Sequence, residues 1–167
     1  MIIWLNGTFG VGKTTTSKEL AALIPGARVF DSEQVGTMLT HVLDSVPVDD
    51  FQDWRPWRTL VVETAAQILD YVGGVLVIPQ TVLVEKYWSE ISAGFAEEGI
   101  PVRHFVLHAD RDILVQRIER DGGSQWRLDH LAAYQEAYTW LSRKAEVIDT
   151  AGITVSQVAN MIAAKVG

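Results

Sequence analysis

The sequence predicts an α/β fold, a three-layer sandwich in which five parallel strands form one sheet with helices on both faces. Short apolar runs without polar alternation are typical of strands that are buried on both faces. These runs alternate along the chain with segments whose apolar residues recur at helical spacing, which favours a parallel sheet. The 167 residues, 48% of them hydrophobic, suit a single domain with a substantial core. We therefore expect one domain over residues 1–167.

The five strands are predicted where apolar residues cluster between turn signals. Gly73-Gly74 precedes one of them, and the β-branched content of that run is typical of the centre of a sheet. The predicted strands cover residues 2–5, 28–30, 75–78, 102–107 and 146–152, the last with its turn.

The helices are predicted from apolar stripes with breakers at their ends. Pro25-Gly26 and Gly99 end two of them, and Asp110 caps the start of another. The predicted helices cover residues 15–24, 31–42, 57–69, 85–97, 110–120, 128–141 and 155–166.

A glycine-rich segment links the first strand to the first helix. Gly7, Gly12, Lys13 and Thr14 satisfy the spacing Gly-x-x-x-x-Gly-Lys-Ser/Thr of a phosphate-binding loop. Glycines let successive N–H groups face one concavity, the lysine reaches phosphates, and the threonine hydroxyl can ligate Mg²⁺. The flanking strand and helix disfavour an ordinary glycine turn. The residues predicted to bind the nucleotide are Gly7, Phe9, Gly10, Val11, Gly12, Lys13, Thr14 and Thr15.

The composition excludes several classes of protein. A formal charge of −7 disfavours a general nucleic-acid binder, although a local basic pocket stays possible. Without cysteine there is no disulfide and no thiolate chemistry, and the four histidines lack metal-ligand spacing. No apolar run approaches the roughly 20 residues that span a bilayer. We therefore expect a cytoplasmic protein without a transmembrane segment.

Asp31 directly follows the second predicted strand. A carboxylate at the carboxyl end of a parallel strand would share an edge of the sheet with the phosphate loop, which suits a catalytic or metal-binding role. Alternatively, Asp31 with Gln34 three residues later fits a helix capping box, which needs no chemistry. The two roles are compatible.

A second group of candidates opens the third predicted helix. Arg55 and Arg58 are three residues apart and could hold an anionic or planar substrate, while Trp54 and Trp57 could form a stacking wall. Alternatively, the arginines form a solvated face paired with the preceding acidic segment, and the tryptophans belong to the core. Gln80 follows the third strand and is a neutral candidate for substrate binding.

Arg117 and Arg120 lie on the helix that follows the fourth strand, just before a glycine-containing segment. This pattern suggests a short lid around residues 121–127 whose arginines neutralise phosphate charge. Alternatively, these cations only complement the dipole at a helix end.

These residues together resemble the P-loop kinases of nucleoside monophosphates and small molecules. The resemblance covers almost the whole chain, through the loop at residues 7–14, Asp31, Arg117, Arg120 and residues 148–150. It implies a P-loop NTPase sandwich with the strand order 2-3-1-4-5, and it implies ATP and Mg²⁺ as cofactors.

A closer resemblance is to the tunicamycin-resistance ATP-binding proteins, through residues 1–10, 49–52, 57–58 and 77–81. Residues 79–81 replace the Asp-Gly-x-Pro-Arg segment with which nucleoside monophosphate kinases bind substrate. An ordinary nucleotide kinase is therefore not expected.

Two hypotheses follow. In the first, the protein transfers a phosphoryl group from ATP to a hydroxyl of a small molecule, for example a nucleoside-like antibiotic such as tunicamycin. Lys13 would hold phosphate, Thr14 the Mg²⁺, and Arg117 with Arg120 the developing charge. Asp31 would be either the general base or a metal ligand. In the second, the protein binds ATP and sequesters the drug unmodified. A regulatory GTPase is disfavoured because no Asn-Lys-x-Asp motif occurs.

Overall fold

The computed structural model describes residues 1–120, 122–123 and 125–167. Within them, five strands form one all-parallel sheet in the order β2-β3-β1-β4-β5. The predicted fold class and strand order are thus confirmed. The strands are β1 (Ile2–Asn6), β2 (Ala27–Val29), β3 (Val75–Pro79), β4 (Val102–His108) and β5 (Glu146–Asp149).

Seven α-helices and a short 3-10 helix (Phe51–Asp53) connect and cover these strands in the described ranges. Helices α1 and α7 pack against each other, while α4 packs between α3 and α6. The helices are α1 (Lys13–Leu23), α2 (Glu33–Val42), α3 (Arg55–Val72), α4 (Glu85–Glu97), α5 (Arg111–Arg120), α6 (Gln125–Lys144) and α7 (Val155–Val166).

The core is centred on β1, whose residues Ile2–Asn6 are all buried. Trp4 points towards α4, where its ring contacts Trp88 and Phe95 edge-on at 5.2 and 6.4 Å between ring centroids. A strand with no exposed side chain requires cover on both faces, which explains the absence of polar alternation in its sequence.

Most element boundaries differ from the predicted ones by one to three residues. Helix α6 extends beyond the predicted 128–141 at both ends. The prediction was too short because the added turns carry no apolar stripe. The lid predicted at 121–127 includes residues 121 and 124, which lie outside the described residues. No helix in the described ranges is long and apolar enough to cross a membrane.

Candidate active site

The loop between β1 and α1 curls around a concavity at the carboxyl edge of the sheet. Gly7, Gly10 and Gly12 all have positive φ, at 132°, 73° and 97°. Gly12 is the N-cap of α1 and offers no side chain to bond the first-turn N–H groups. Those donors and the positive end of the helix dipole therefore remain directed at the concavity, an arrangement that suits an anion.

Two of these glycines also lie in close contact with neighbouring elements. A Cβ on Gly7 would lie 2.5 Å from the carbonyl oxygen of Leu107 in β4. A Cβ on Gly10 would lie 3.1 Å from Cγ1 of Ile118 in α5. The loop is thus seated on β4 and α5, which fixes its shape.

Lys13 is folded back onto its own loop. Its Nζ donates hydrogen bonds to the carbonyl oxygens of Gly7 at 3.0 Å and Thr8 at 2.8 Å. Burial lowers the pKa of this ammonium group to about 8, an effect that the nearby Glu33 carboxylate partly opposes. The Thr8 hydroxyl is also buried, and no described residue hydrogen-bonds to it. An unpaired buried hydroxyl is costly, so a bound partner would be favoured here.

A cavity of about 890 Å³ surrounds the phosphate loop. The loop lies near the middle of the cavity because it follows β1, the central strand of the sheet. We call one end of the cavity the basic arm; it is lined by residues from the side of β4 and β5. We call the other end the acidic arm; it is lined by residues from the segments between β2 and β3 and after β3. The basic arm contains Arg117, Arg120, Thr150, Ile153 and Thr154. The acidic arm contains Glu33, Asp50, Gln52, Asp53, Gln80 and Tyr87.

Arg117 is fixed at the end of β5. Its guanidinium donates to the hydroxyl and the carbonyl oxygen of Thr150, both at 2.9 Å. The Thr150 hydroxyl in turn donates to the carbonyl oxygen of His108 at the end of β4. This chain of hydrogen bonds holds a cation at the cavity wall, and Arg120 lines the same arm.

Asp31 and Glu33 have different surroundings although only one residue separates them. Both residues are exposed, and the two oxygens of Asp31 accept from the Glu33 amide at 3.1 Å and from Gln34 Nε2 at 3.0 Å. Ser32 is the N-cap of α2, so these contacts form a turn just before the helix and not the predicted capping box. Asp31 is not among the residues that line the cavity. Glu33 does line it. Burial and then the Asp31 charge raise the pKa of Glu33, while Lys13 opposes them.

Arg58 lies behind the acidic arm and does not line the cavity. Its side chain is 8% exposed, and Nε donates to Glu90 Oε2 at 2.6 Å. Its Nη1 donates to the carbonyl oxygens of Gln52 and Asp53, the latter at 3.2 Å. Its guanidinium also lies 4.3 Å from the ring centre of Tyr87. Arg58 therefore braces the segment that forms the cavity wall.

The other three candidates around α3 also lie away from the cavity lining. Trp57 is fully buried and donates from Nε1 to the carbonyl oxygen of Ser32 at 3.1 Å. Trp54 is buried too, and its Nε1 donates to the carbonyl oxygen of Val46 at 3.0 Å. Arg55 is exposed. The two tryptophans thus join the chain on either side of α2 to the core.

The acidic wall has a regular local structure that sequence reasoning did not identify. Asp50 accepts from the Gln52 amide at 2.8 Å, and Asp53 accepts from the Asp50 amide at 3.2 Å, which is a capping box around the 3-10 helix. The other oxygen of Asp53 accepts from the Tyr87 hydroxyl at 2.7 Å. Burial raises the pKa of Asp50. The signal available in the sequence was the acidic pair three residues apart.

Gln80 lines the cavity yet is almost fully buried. Its Oε1 accepts from the Ser32 hydroxyl at 2.8 Å, which ties the end of β3 to the start of α2. The neighbouring Thr81 donates to the carbonyl oxygen of Gly7 at 2.7 Å. These neutral side chains connect the loops that follow β1, β2 and β3.

An aromatic group covers the phosphate loop from the start of α6. Trp126 is 55% exposed and lies 5.0 Å from the ring of Phe9 and 4.1 Å from that of His130. The Arg127 guanidinium lies 5.8 Å from the Phe9 ring centre. All four side chains line the cavity. Phe9 is predicted from the sequence as a nucleotide-binding residue, and Trp126 and Arg127 belong to the lid predicted around residues 121–127, but His130 is not identified from the sequence.

Comparisons with known proteins agree with this geometry. The family model described as an AAA domain matches residues 3–137. No curated protein matches the sequence. Among solved structures, the tunicamycin resistance protein of Deinococcus radiodurans is 32% identical, with a TM-score of 0.83, and the match covers 99% of this chain and 95% of that one.

Two further structures are similar in fold alone. Shikimate kinase from Acinetobacter baumannii, in complex with shikimate, has a TM-score of 0.66 at 19% identity, with 96% of this chain and 89% of that chain covered. The Mycobacterium tuberculosis APS kinase, in complex with AMPPNP and APS, has a TM-score of 0.63 at 14% identity, with 96% and 94% covered. The chain therefore belongs to the AAA-domain family and shares the P-loop kinase-like fold of the tunicamycin resistance protein from Deinococcus radiodurans.

Proposed function

We propose that this protein transfers the γ-phosphoryl group of ATP to a hydroxyl group of a small molecule. The observation that carries the proposal is that one cavity of about 890 Å³ contains both the phosphate loop and the Glu33 carboxylate. A phosphate donor and a hydroxyl acceptor can therefore share one enclosed space, which is the main requirement for phosphoryl transfer.

The phosphate loop would bind the triphosphate. Residues 8–13 would supply backbone N–H groups, Gly10 and Gly12 adopt conformations that fit an anion, and Lys13 would exchange its carbonyl partners for phosphate oxygens. Arg117 and Arg120 would neutralise charge from the basic arm. Thr14, exposed at the start of α1 and lining the cavity, is the residue that would hold Mg²⁺. When bound, Mg²⁺ supplies further neutralisation of phosphate charge.

Glu33 is the residue we assign as general base. It accepts the proton of the acceptor hydroxyl as the oxygen forms its bond to phosphorus, and the bond between phosphorus and the ADP oxygen breaks. No described residue donates a hydrogen bond to the Glu33 carboxylate, and its raised pKa favours proton uptake. Asp31 then keeps the turn that positions Glu33, with metal binding as its alternative role.

The remaining predicted substrate residues are assigned supporting roles. Arg58 holds Gln52 and Asp53 at the cavity wall, and Trp57 holds the backbone next to Glu33 through Ser32. Gln80 contributes directly, since it lines the cavity.

The resistance phenotype named for the similar protein makes tunicamycin the first acceptor to test. Purified protein is incubated with ATP, Mg²⁺ and tunicamycin, with ADP measured over time and the mass of the drug recorded at the end. We expect ADP in step with a drug that has gained one phosphoryl group, and no product with Lys13→Ala. Acceptor-independent hydrolysis with unchanged drug would refute the proposal for this acceptor.

A second candidate is ATP-dependent binding of the drug without chemistry. It is favoured by the neutral Gln80 and Thr81 that follow β3, where a carboxylate would otherwise help to hold the metal. Tight binding of both ATP and tunicamycin, with no ADP and no change in drug mass, would establish this candidate instead.

A further inference from the structure

Charged side chains are sorted between the two arms of the cavity. Arg117 and Arg120 lie in the basic arm, and Glu33, Asp50 and Asp53 lie in the acidic arm. The phosphate loop separates the two groups because it follows the central strand. If ATP occupies the loop and the basic arm, the acidic arm is the space left for the acceptor.

No described guanidinium group forms an ion pair with the carboxylates of the acidic arm. Arg127 also lines the cavity, and its guanidinium lies 5.8 Å from the Phe9 ring centre on the phosphate loop. Arg58 is already paired with Glu90 at 2.6 Å and bonded to two backbone carbonyl oxygens behind the wall. The Lys13 ammonium is held by the loop and, under the proposed function, is taken by phosphate. His130 is the base that faces Asp50 across the cavity. The arm is therefore negative towards a bound acceptor.

Both polar acceptor atoms and aromatic rings line this wall. Carboxylates at neutral pH only accept hydrogen bonds, so they select hydroxyl and amino groups. The rings of Phe51 and Tyr87 line the same space and offer apolar faces to C–H groups. Burial raises the pKa of both Glu33 and Asp50, while Lys13 opposes the shift at Glu33 and His130 opposes it at Asp50.

We propose that the acidic arm selects an acceptor that is rich in hydroxyl groups, sugar-like in size, and neutral or cationic, and that it rejects acceptors bearing a carboxylate or a phosphate. This inference rests on the proposed function for the placement of ATP in the other arm. One like charge at about 6 Å, with an effective dielectric constant of about 40, weakens binding about tenfold. An anionic acceptor would face three carboxylates.

Three sugar derivatives of similar size and different charge test this selection. The protein, loaded with Mg²⁺ and the non-hydrolysable analogue AMPPNP, is mixed with glucosamine, glucose and gluconate, and saturation transfer from protein to each compound is recorded by NMR. We expect transfer to glucosamine of at least the strength of that to glucose, and none above background to gluconate. Strongest transfer to gluconate, or none to any compound, would overturn the proposal.

The variant Asp50→Asn tests whether the acidic arm is the source of the charge selectivity. The amide oxygen of asparagine can still accept from the Gln52 amide, so the 3-10 helix keeps its cap. We expect glucosamine affinity to fall about three- to tenfold while glucose affinity changes less than twofold. Asp70→Asn is the matched control, since Asp70 is exposed on α3 outside the cavity lining. Equal effects of the two variants would refute the assignment.

The outcome is separable from that of the proposed function because the binding assay needs no turnover. If the charge order holds and no acceptor yields ADP, phosphoryl transfer is refuted and the selectivity stands. If ADP forms with gluconate in preference to glucose and glucosamine, the selectivity is refuted and phosphoryl transfer stands.

Discussion

The two carboxylates that follow β2 should behave differently when each loses its charge. Glu33→Gln removes the proposed proton acceptor and keeps the length of the side chain. Asp31→Asn makes the same chemical change at the turn. Because Glu33 lines the cavity and Asp31 only bonds the turn before α2, we expect only the first substitution to abolish phosphoryl transfer.

The expected magnitudes follow from these contacts. A positioned general base contributes about 10²- to 10⁴-fold, so kcat should fall at least about 100-fold in Glu33→Gln. In Asp31→Asn, the remaining oxygen can still accept from the Glu33 amide at 3.1 Å, and the bond to Gln34 at 3.0 Å is weakened. Both contacts are exposed, so the loss of stability should be about 0.5–1 kcal/mol, and kcat should stay within about threefold of the wild type.

The assay is the initial rate of ADP formation at saturating ATP and acceptor, with the Kd for ATP measured for each variant. Glu33 opposes the lowering of the pKa of Lys13, so Glu33→Gln should lower that pKa further. Measurement at pH 6.5 keeps Lys13 protonated and separates lost catalysis from lost binding. A 100-fold loss in Asp31→Asn, with more than half of the activity kept in Glu33→Gln, would refute this reasoning and make Asp31 the base.

Three further outcomes are expected. Because phosphate binding favours protonated Lys13, whose pKa is about 8 in the free protein, the Kd for ATP should rise above pH 8, whereas Lys13→Arg should give a flat profile to pH 9.5 by calorimetry. Arg58→Ala should lower the free energy of unfolding in urea by about 2–4 kcal/mol, because it leaves the Glu90 carboxylate and two backbone carbonyls unpaired. The control Arg55→Ala, at an exposed position, should change the same free energy by less than about 0.5 kcal/mol. Gly7→Ala should abolish ATP binding, because its Cβ would meet a β4 carbonyl at 2.5 Å, whereas Gly26→Ala, in open space, should cost only about 1 kcal/mol and leave ATP binding unchanged.

The fold was predictable because its signals are local. Uninterrupted apolar strands and a phosphate-loop motif directly after the first strand are readable from short stretches of sequence. The strand order was implied by the resemblance alone, since nothing in a strand's own residues states which strand lies beside it. Helix α6 was predicted too short because Gln125 and Arg143 belong to turns whose polar faces carry no period.

The site was less predictable because its chemistry depends on whether each side chain faces the cavity or the protein. The sequence placed Asp31 at the correct edge. Only the structure distinguishes this carboxylate, which bonds the turn before a helix, from that of Glu33, which lines the cavity. Arg58 looked like a substrate ligand, and its partner Glu90 is 32 residues away on α4, beyond any local pattern. Long-range pairs of this kind decide whether a cation faces a ligand or the protein.

Neutral side chains connect several loops at the carboxyl edge of the sheet through hydrogen bonds. Asn6 accepts from the amides of Gly7 and Val82 and donates to the Val82 carbonyl, which joins the phosphate loop to the segment after β3. The Ser32–Gln80 hydrogen bond adds the segment after β2. Because these neutral groups satisfy one another, they connect the three loops without using the Glu33 carboxylate. Glu33 can therefore face the space between the loops, which is the condition that both proposals require.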